Sequence, residues 1–127
     1  MKIAIFENQY EQIRHQFEIA NKLFFNDELV IDQFNSSQSL VPISKITDYN
    51  LVLVDISLSS NSDRDGFNLI AQIKKVPNYP KIAILTGNSY IEESLKTKEL
   101  GDIPVIHKPV DPEDVGLLLK KLLSPTS

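Results

Sequence analysis

The sequence predicts an α/β fold in which five parallel strands form one sheet with helices on both faces. Three apolar runs, at 3–6, 51–54 and 82–85, are too short for helices and lack polar alternation, which is typical of strands buried on both faces. Segments with the three- and four-residue spacing of amphipathic helices separate these runs. Because parallel strands need crossover connections, this alternation indicates a parallel sheet.

In the first half of the chain, the run at 3–6 is followed by a helix with one apolar face and by a weaker strand from Leu29 to Phe34. A short helix is expected between Ser39 and Thr47, where Pro42 fits only the first turn. The strand at 51–54 completes this half. The inward residues of the first helix are Tyr10, Ile13, Phe17, Ala20 and Phe24.

In the second half, a helix from Gly66 to about Lys75 precedes the strand at 82–85. A helix from Tyr90 to Leu100, closed by Gly101, and a weaker strand from Pro104 to His107 follow. The inward residues of the helix that begins at Gly66 are Phe67, Ile70 and Ile73.

The last helix has a clear start signal. Asp111 is a favourable N-cap, and Pro112 suits the first helical position. Glu113 and Asp114 complement the positive end of the helix dipole. We therefore expect a helix from this point to near the end of the sequence, with a buried stripe formed by Val115, Leu118, Leu119 and Leu122.

Composition limits the classes of function. A chain of 127 residues, 42% hydrophobic and 24% charged, is expected to form one globular domain spanning 1–127. A net charge of −4 argues against nucleic-acid binding, and the absence of cysteine excludes disulfides, thiolate metal sites and cysteine nucleophiles. The apolar run before Glu7 is too short for a signal peptide or a membrane span, so we expect a cytoplasmic protein without a membrane segment.

Polar residues follow four of the predicted strands. In an open parallel sheet, ligands bind beyond the carboxyl ends of the strands, so these residues are expected to share one edge. They are Glu7 and Asn8 after the first strand, Asp55 at the end of the third, Thr86 and Gly87 at the fourth, and Lys108 and Pro109 at the fifth.

This set of residues is suited to phosphoryl transfer. Oxygen atoms of Glu7, Asn8 and Asp55 are ligands for a hard cation such as Mg²⁺. A cation, the Lys108 ammonium and the Thr86 hydroxyl would neutralise charge on the oxygens of an incoming phosphoryl group. Asp55 would be the nucleophile that forms an acyl phosphate.

The arrangement resembles the receiver domain of response regulators along the whole chain. The interval of 22 residues from Thr86 to Lys108 is typical of that family. The implied fold is the flavodoxin-like, doubly wound one with strand order 2-1-3-4-5. The matching segments are KIAIFEN at 2–8, LVLVDIS at 51–57, KIAILTG at 81–87 and VIHKP at 105–109.

The resemblance implies a role for each residue of the reacting centre. Asp55 becomes the phosphorylation site, Thr86 the switch hydroxyl and Lys108 the phosphate partner. The Gly87 N–H would approach a phosphoryl oxygen, and the Lys108–Pro109 peptide bond would be cis. Mg²⁺ would be held by Asn8, Asp55 and the main-chain carbonyl of Ser57, with Glu7 acting through water.

The resemblance also implies a signalling role instead of enzymatic turnover. A histidine kinase or a phosphotransfer protein would donate the phosphoryl group, and a downstream protein would read the modified state. Since no output domain is expected, the signal would pass by protein–protein contact. The implied assembly is a monomer or a weak homodimer.

Three features depart from the family pattern. Asn8 stands where the family commonly has Asp, and the loss of one charge would weaken Mg²⁺ binding. The loop after Asp55 is longer than usual, with Ser59 where proline is frequent. Val105 replaces the aromatic residue that rotates on activation, so signalling through ring rotation is not expected.

Two other functions stay open at this point. The departures are also compatible with a pseudo-receiver, a protein-binding module that works without phosphorylation. A small flavin- or nucleotide-binding protein would need a phosphate-cradling loop after the first strand, whereas this loop reads ENQYEQ and carries two acids. We assign His15 and His107 surface or packing roles.

Overall fold

The computed structural model describes residues 1–36, 39–56, 66–87 and 102–124. Within these ranges, five parallel strands form one sheet in the order β2-β1-β3-β4-β5, which confirms the predicted fold class and strand order. The strands are β1 (Lys2–Phe6), β2 (Val30–Phe34), β3 (Leu51–Asp55), β4 (Lys81–Thr86) and β5 (Val105–His107).

The central strand β3 is buried at all five positions because β1 and β4 flank it and both sheet faces are covered. The continuous apolar run of β3 is therefore explained by burial on both faces of the sheet, as the sequence indicated. The edge strand β2 is less buried, which explains its mixed composition. Leu29 is buried but precedes β2, so this strand begins one residue later than predicted.

Helices cover both faces of the sheet. Helices α1 (Arg14–Phe25) and α3 (Pro112–Leu122) pack against one face, whereas α2 (Gly66–Lys74) and a 3-10 helix (Ile43–Asp48) pack against the other. Alternate residues of each strand enter the two cores because successive side chains point to opposite faces. The first core contains Ile3, Ile5, Leu51, Leu53, Phe17 and Leu119, and the second contains Ala4, Phe6, Val52, Val54, Leu69 and Ile70.

The start of α3 has the predicted cap. The Asp111 carboxylate accepts a hydrogen bond of 2.9 Å from the Asp114 N–H, and Pro112 occupies the first turn. Helices α1 and α3 approach closely at Gly116, where an added Cβ would lie 2.2 Å from the Phe24 ring. A side chain larger than hydrogen would separate the two helices or displace that ring.

Two of the predicted helices differ from the observed ones in their bounds. The first helix is interrupted at Ile13, whose φ of −120° and ψ of −4° separate a 3-10 turn (Tyr10–Gln12) from α1. The helix expected between Ser39 and Thr47 is instead the 3-10 helix Ile43–Asp48, which begins after Pro42, whose extended ψ of 158° is not helical.

In α2, Leu69 is fully buried beside Ile70 and Ile73, although the sequence analysis did not assign it inward. Phe67, which was expected inward, is partly buried and packs against the second core. The helix predicted from Tyr90 to Leu100 lies outside the described residues.

Candidate functional site

The carboxyl ends of the strands bring polar side chains into the interior. Within the described part of the chain, the buried polar residues are Glu7, Asp55 and Thr86, which are 1%, 4% and 1% exposed. Each directly follows or ends a strand at the same edge of the sheet. Buried polar groups need partners, so this edge requires a dedicated hydrogen-bond network.

Lys108 supplies a common partner for the two buried carboxylates. Its Nζ donates to Asp55 Oδ2 at 3.0 Å and also donates to Glu7 Oε2. The Lys108 side chain is a quarter exposed, so its ammonium reaches the carboxylates from the solvent side. The structure thus brings together three of the residues that the sequence placed at one edge.

The strand pairing positions Lys108 and Thr86 together. The Lys108 N–H donates to the Thr86 carbonyl at 2.8 Å, which extends the β4–β5 ladder by one step. Asp55 pairs with Leu85 on β4, so Thr86 lies one position beyond the level of Asp55. Thr86 therefore ends the strand that lies between β3, which carries Asp55, and β5, which Lys108 directly follows.

The orientation of Glu7 is set by neighbours that the sequence analysis missed. Its Oε1 accepts from the Gln9 N–H at 3.0 Å, and its carbonyl accepts from Gln33 Nε2 at 2.8 Å. The Glu7 N–H donates to the Phe34 carbonyl at 3.0 Å. The predicted strand order offered a signal for the contact with Gln33. Gln33 lies near the end of β2 and therefore adjoins the end of β1, which Glu7 follows.

The electrostatic balance follows from one ammonium facing two carboxylates. Burial raises the pKa of Glu7, contact with Asp55 raises it further, and Lys108 and the Gln9 N–H oppose that rise. Burial lowers the pKa of Lys108, but its hydrogen bonds to Glu7 and Asp55 and their negative charges outweigh burial and leave it raised. Lys108 is thus a stable cation, whereas Glu7 holds a proton more tightly than a free glutamate.

The other predicted site residues have varied placements. Asn8 is half-buried beside Glu7 and lines a small hollow with Gln9 and Gln33. Gly87 is exposed, and a Cβ added there would have open space around it. Ser57 lies outside the described residues. The predicted cis peptide bond between Lys108 and Pro109 is present.

The donor atoms fit a hard divalent cation such as Mg²⁺. Glu7 and Asp55 provide carboxylate oxygens, and the neighbouring Asn8 provides a neutral carbonyl oxygen. The described ranges contain no group of three His, Cys, Asp or Glu residues suited to metal binding. Lys108 pairs with the same carboxylates that would hold the cation.

Comparison with known families identifies the chain. Residues 11–120 match the sequence model of the response regulator receiver domain. The chain belongs to this family. The matched span contains Asp55, Thr86 and Lys108 of the receiver, whereas Glu7 and Asn8 precede it.

Solved structures show the same fold. The receiver domain of NtrX from Brucella abortus is 23% identical to this receiver. The structural match covers 98% of this receiver and 99% of the NtrX chain, with a TM-score of 0.73. A CheY-like receiver domain protein from Methanospirillum hungatei is also 23% identical, with coverage of 96% and 92% and a TM-score of 0.72. The BeF3-activated DrrB receiver domain is 21% identical, covers 96% of both chains and has a TM-score of 0.70.

One curated protein also matches part of the sequence. The phenylalanine–tRNA ligase beta subunit of Ureaplasma parvum is 32% identical over 82 residues, which is 65% of this receiver and 10% of that subunit. The match therefore spans about a tenth of the subunit.

None of the helices within the described ranges has both the length and the apolar character needed to cross a bilayer.

Proposed function

We propose that this receiver domain accepts a phosphoryl group on Asp55 from a histidine kinase or a phosphotransfer protein. The observation that carries the proposal is the 3.0 Å contact between Lys108 Nζ and the Asp55 carboxylate at the edge of the sheet. A buried carboxylate beside a fixed ammonium has both a nucleophilic oxygen and a counter-ion for the incoming charge. The family to which the chain belongs uses such domains in two-component signalling.

In the proposed reaction, an Asp55 oxygen attacks the phosphorus atom of a donor phosphohistidine. The new phosphorus–oxygen bond forms an acyl phosphate, and the phosphorus–nitrogen bond breaks with its electron pair moving to the imidazole nitrogen. Lys108 neutralises a phosphoryl oxygen, while the Thr86 hydroxyl and the Gly87 N–H donate to the others. Thr86 would then move toward the phosphoryl group and report the modified state.

The proposed cofactor is Mg²⁺, held by Glu7, Asn8, Asp55 and the carbonyl of Ser57. When it is bound at this position, the cation would neutralise negative charge on the transferred phosphoryl group. Because Asn8 is neutral, we expect weak binding. Lys108 must release part of its contact with Glu7 and Asp55 when the cation binds, since the ammonium and the cation compete for the same carboxylate oxygens.

The proposed output is contact with a downstream protein. We propose residues 1–127 as one receiver unit that acts in the cytoplasm through this contact, without catalytic turnover of a substrate. The side chain of Val105 is apolar and aliphatic, so the aromatic rotation common in the family is not part of the proposed switch.

Acetyl phosphate with Mg²⁺ tests the proposal directly. The intact mass of the wild-type chain should increase by one phosphoryl group, and Asp55→Asn should prevent the increase. Asp48→Asn is a matched control because it removes an exposed carboxylate outside the site. Absence of any mass increase in the wild type at saturating acetyl phosphate and Mg²⁺ would reject the proposal.

A phosphorylation-independent pseudo-receiver is the second candidate, and the double pairing of Lys108 favours it. One ammonium already neutralises part of the charge of Glu7 and Asp55, which reduces the need for a metal ion to balance these carboxylates. Beryllium fluoride with Mg²⁺ distinguishes the two functions. NMR shift changes at Ile56, Thr86 and Gly87 support phosphoryl acceptance, whereas unchanged shifts support the pseudo-receiver.

A further inference from the structure

Gly66, the first residue of α2, contacts the main chain at the end of β3. A Cβ built on Gly66 would lie 2.4 Å from the Ile56 Cα and 2.5 Å from the Asp55 carbonyl oxygen. Real Cβ atoms essentially never approach other atoms this closely, and here the obstructing atoms belong to the backbone. Only glycine therefore allows α2 to begin at this distance from the residue that follows Asp55.

Neither partner in this contact can move freely. On the helix side, Leu69, Ile70 and Ile73 are fully buried in the second core. On the strand side, β3 is paired with both β1 and β4, and the Ile56 N–H donates to the Leu85 carbonyl at 3.3 Å. Close-packed interiors transmit strain, so a steric conflict at this contact would displace the groups next to it, including Asp55.

From this contact, we infer that Gly66 is a positioning residue for Asp55, an inference that rests on the proposed function. The spacing between α2 and the Asp55–Ile56 main chain fixes where the Asp55 carboxylate lies relative to Lys108. Ordinary contact begins at 3.4 Å, so an added Cβ at 2.4 Å requires a displacement of about 1 Å. That displacement at the end of β3 would change the distance between the carboxylate and the ammonium, which is 3.0 Å in the wild type.

Two other glycines show that the requirement is specific to this place. A Cβ at Gly87 would meet no atom within 4 Å, so that position accepts a side chain. A Cβ at Gly116 would also be obstructed, but by the Phe24 ring, a side chain that belongs to the packing of α1 and α3 and not to the site. Gly116 therefore provides a matched control with a steric conflict of similar size.

The test compares Gly66→Ala with Gly116→Ala. Alanine has a higher helix propensity than glycine, so propensity alone would not destabilise either variant. Per folded molecule, Gly66→Ala should lower the rate constant of phosphorylation by acetyl phosphate and Mg²⁺ about 10²-fold, the effect typical of a 1 Å misplacement. Gly116→Ala should retain the wild-type rate constant within about threefold, because its conflict lies away from the reacting atoms.

The folded fraction is measured by circular dichroism, with an excluded osmolyte added to both variants so that folded fractions match. An unchanged rate constant for Gly66→Ala, or an equal loss in Gly116→Ala, overturns the inference. A Gly66→Ala chain that stays unfolded in osmolyte also overturns it, since a local displacement predicts a folded protein with an altered site.

A second readout separates this inference from the proposed function. The ¹³C resonance of the Asp55 carboxyl group reports its contact with Lys108 without any phosphorylation. It should shift in Gly66→Ala and stay at the wild-type position in Gly116→Ala. If the wild type accepts no phosphoryl group, the proposed function fails, and this resonance alone decides whether Gly66 positions Asp55.

Discussion

Lys108 Nζ lies 3.0 Å from Asp55 Oδ2 although 53 positions separate the two residues along the chain. The contact exists because β3, β4 and β5 are neighbours whose carboxyl ends lie at one edge. The same ammonium contacts Glu7, which lies 101 positions away. The Lys108 ammonium, which directly follows β5, thus contacts the carboxylates at the ends of β1 and β3 and balances part of their buried negative charge.

Removal of this cation should destabilise the protein. Lys108→Met leaves the buried carboxylates of Glu7 and Asp55 without their common donor, which we expect to lower the free energy of unfolding by about 1–3 kcal/mol. Adding Asp55→Asn to Lys108→Met should restore part of the loss, because one uncompensated charge is removed. Urea unfolding followed by circular dichroism measures both effects. Wild-type stability in Lys108→Met would show that this ammonium does not stabilise the buried carboxylates.

Mg²⁺ affinity should increase with pH. The pKa of Glu7 is raised above its usual 4.5, so at low pH the cation must displace a proton from that carboxyl group. As pH rises through the folded-state pKa of Glu7, this competition disappears and the apparent affinity reaches a plateau. NMR titration with Mg²⁺ at several pH values measures the trend. In Glu7→Gln the trend should be weaker, and a steeper one would contradict the assignment.

Restoring the missing acid should strengthen the metal site. Asn8→Asp adds a negative charge next to Glu7, and we expect Mg²⁺ to bind roughly tenfold more tightly, or about 1.4 kcal/mol. Asn50→Asp is a control with the same change in charge, since Asn50 caps the Lys2 N–H at the other end of β1. Equal gains in both variants would mean that long-range charge, and not ligation, sets the affinity.

The hydrogen bond between Tyr49 and Asp32 supports a separate prediction. Burial raises the pKa of Tyr49 to about 12, and its 2.7 Å hydrogen bond to Asp32 contributes to the rise. Because the folded state favours the neutral phenol, this stabilisation is present below pH 10.0 and is lost as pH rises through about 12. Asp32→Asn should bring the Tyr49 pKa closer to 10.0, as measured by ¹³C NMR of the ring.

Tyr10 is the internal control for that titration. Its pKa is also raised to about 12, by burial and by the negative charge of Glu18, and Asp32 is not among the causes. Asp32→Asn should therefore leave the Tyr10 titration unchanged. An equal shift at Tyr10 and Tyr49 would show that the substitution alters the fold generally.

The central strands were predictable because burial on both faces requires a short, continuous run of apolar residues. The apolar runs at 51–54 and 82–85 correspond to β3 and β4, and the polar residues after them lie at one edge, as parallel pairing requires. The cap at Asp111 was predictable because it uses only residues close in sequence. In each case the decisive interaction is local or follows from strand direction alone.

The remaining features depend on contacts between distant segments. Gln33 supports the Glu7 carbonyl through a side-chain hydrogen bond across 26 positions, and the strand order makes this contact possible without specifying it. The 3-10 helix at Ile43–Asp48 depends on how Ile46 enters the second core. The role inferred for Gly66 likewise requires knowing that α2 touches the Asp55–Ile56 main chain. The composition of the chain and the local spacing of its residues do not specify which distant segments come into contact.

The position of the phosphoryl group after reaction with acetyl phosphate and Mg²⁺ tests whether Asp55 is the acceptor. Tandem mass spectrometry of the proteolysed chain should place it on the peptide containing Asp55, and specifically on that residue. Its appearance on any other residue, or an Asp55→Asn chain that is still phosphorylated, would contradict the claim that Asp55 is the acceptor.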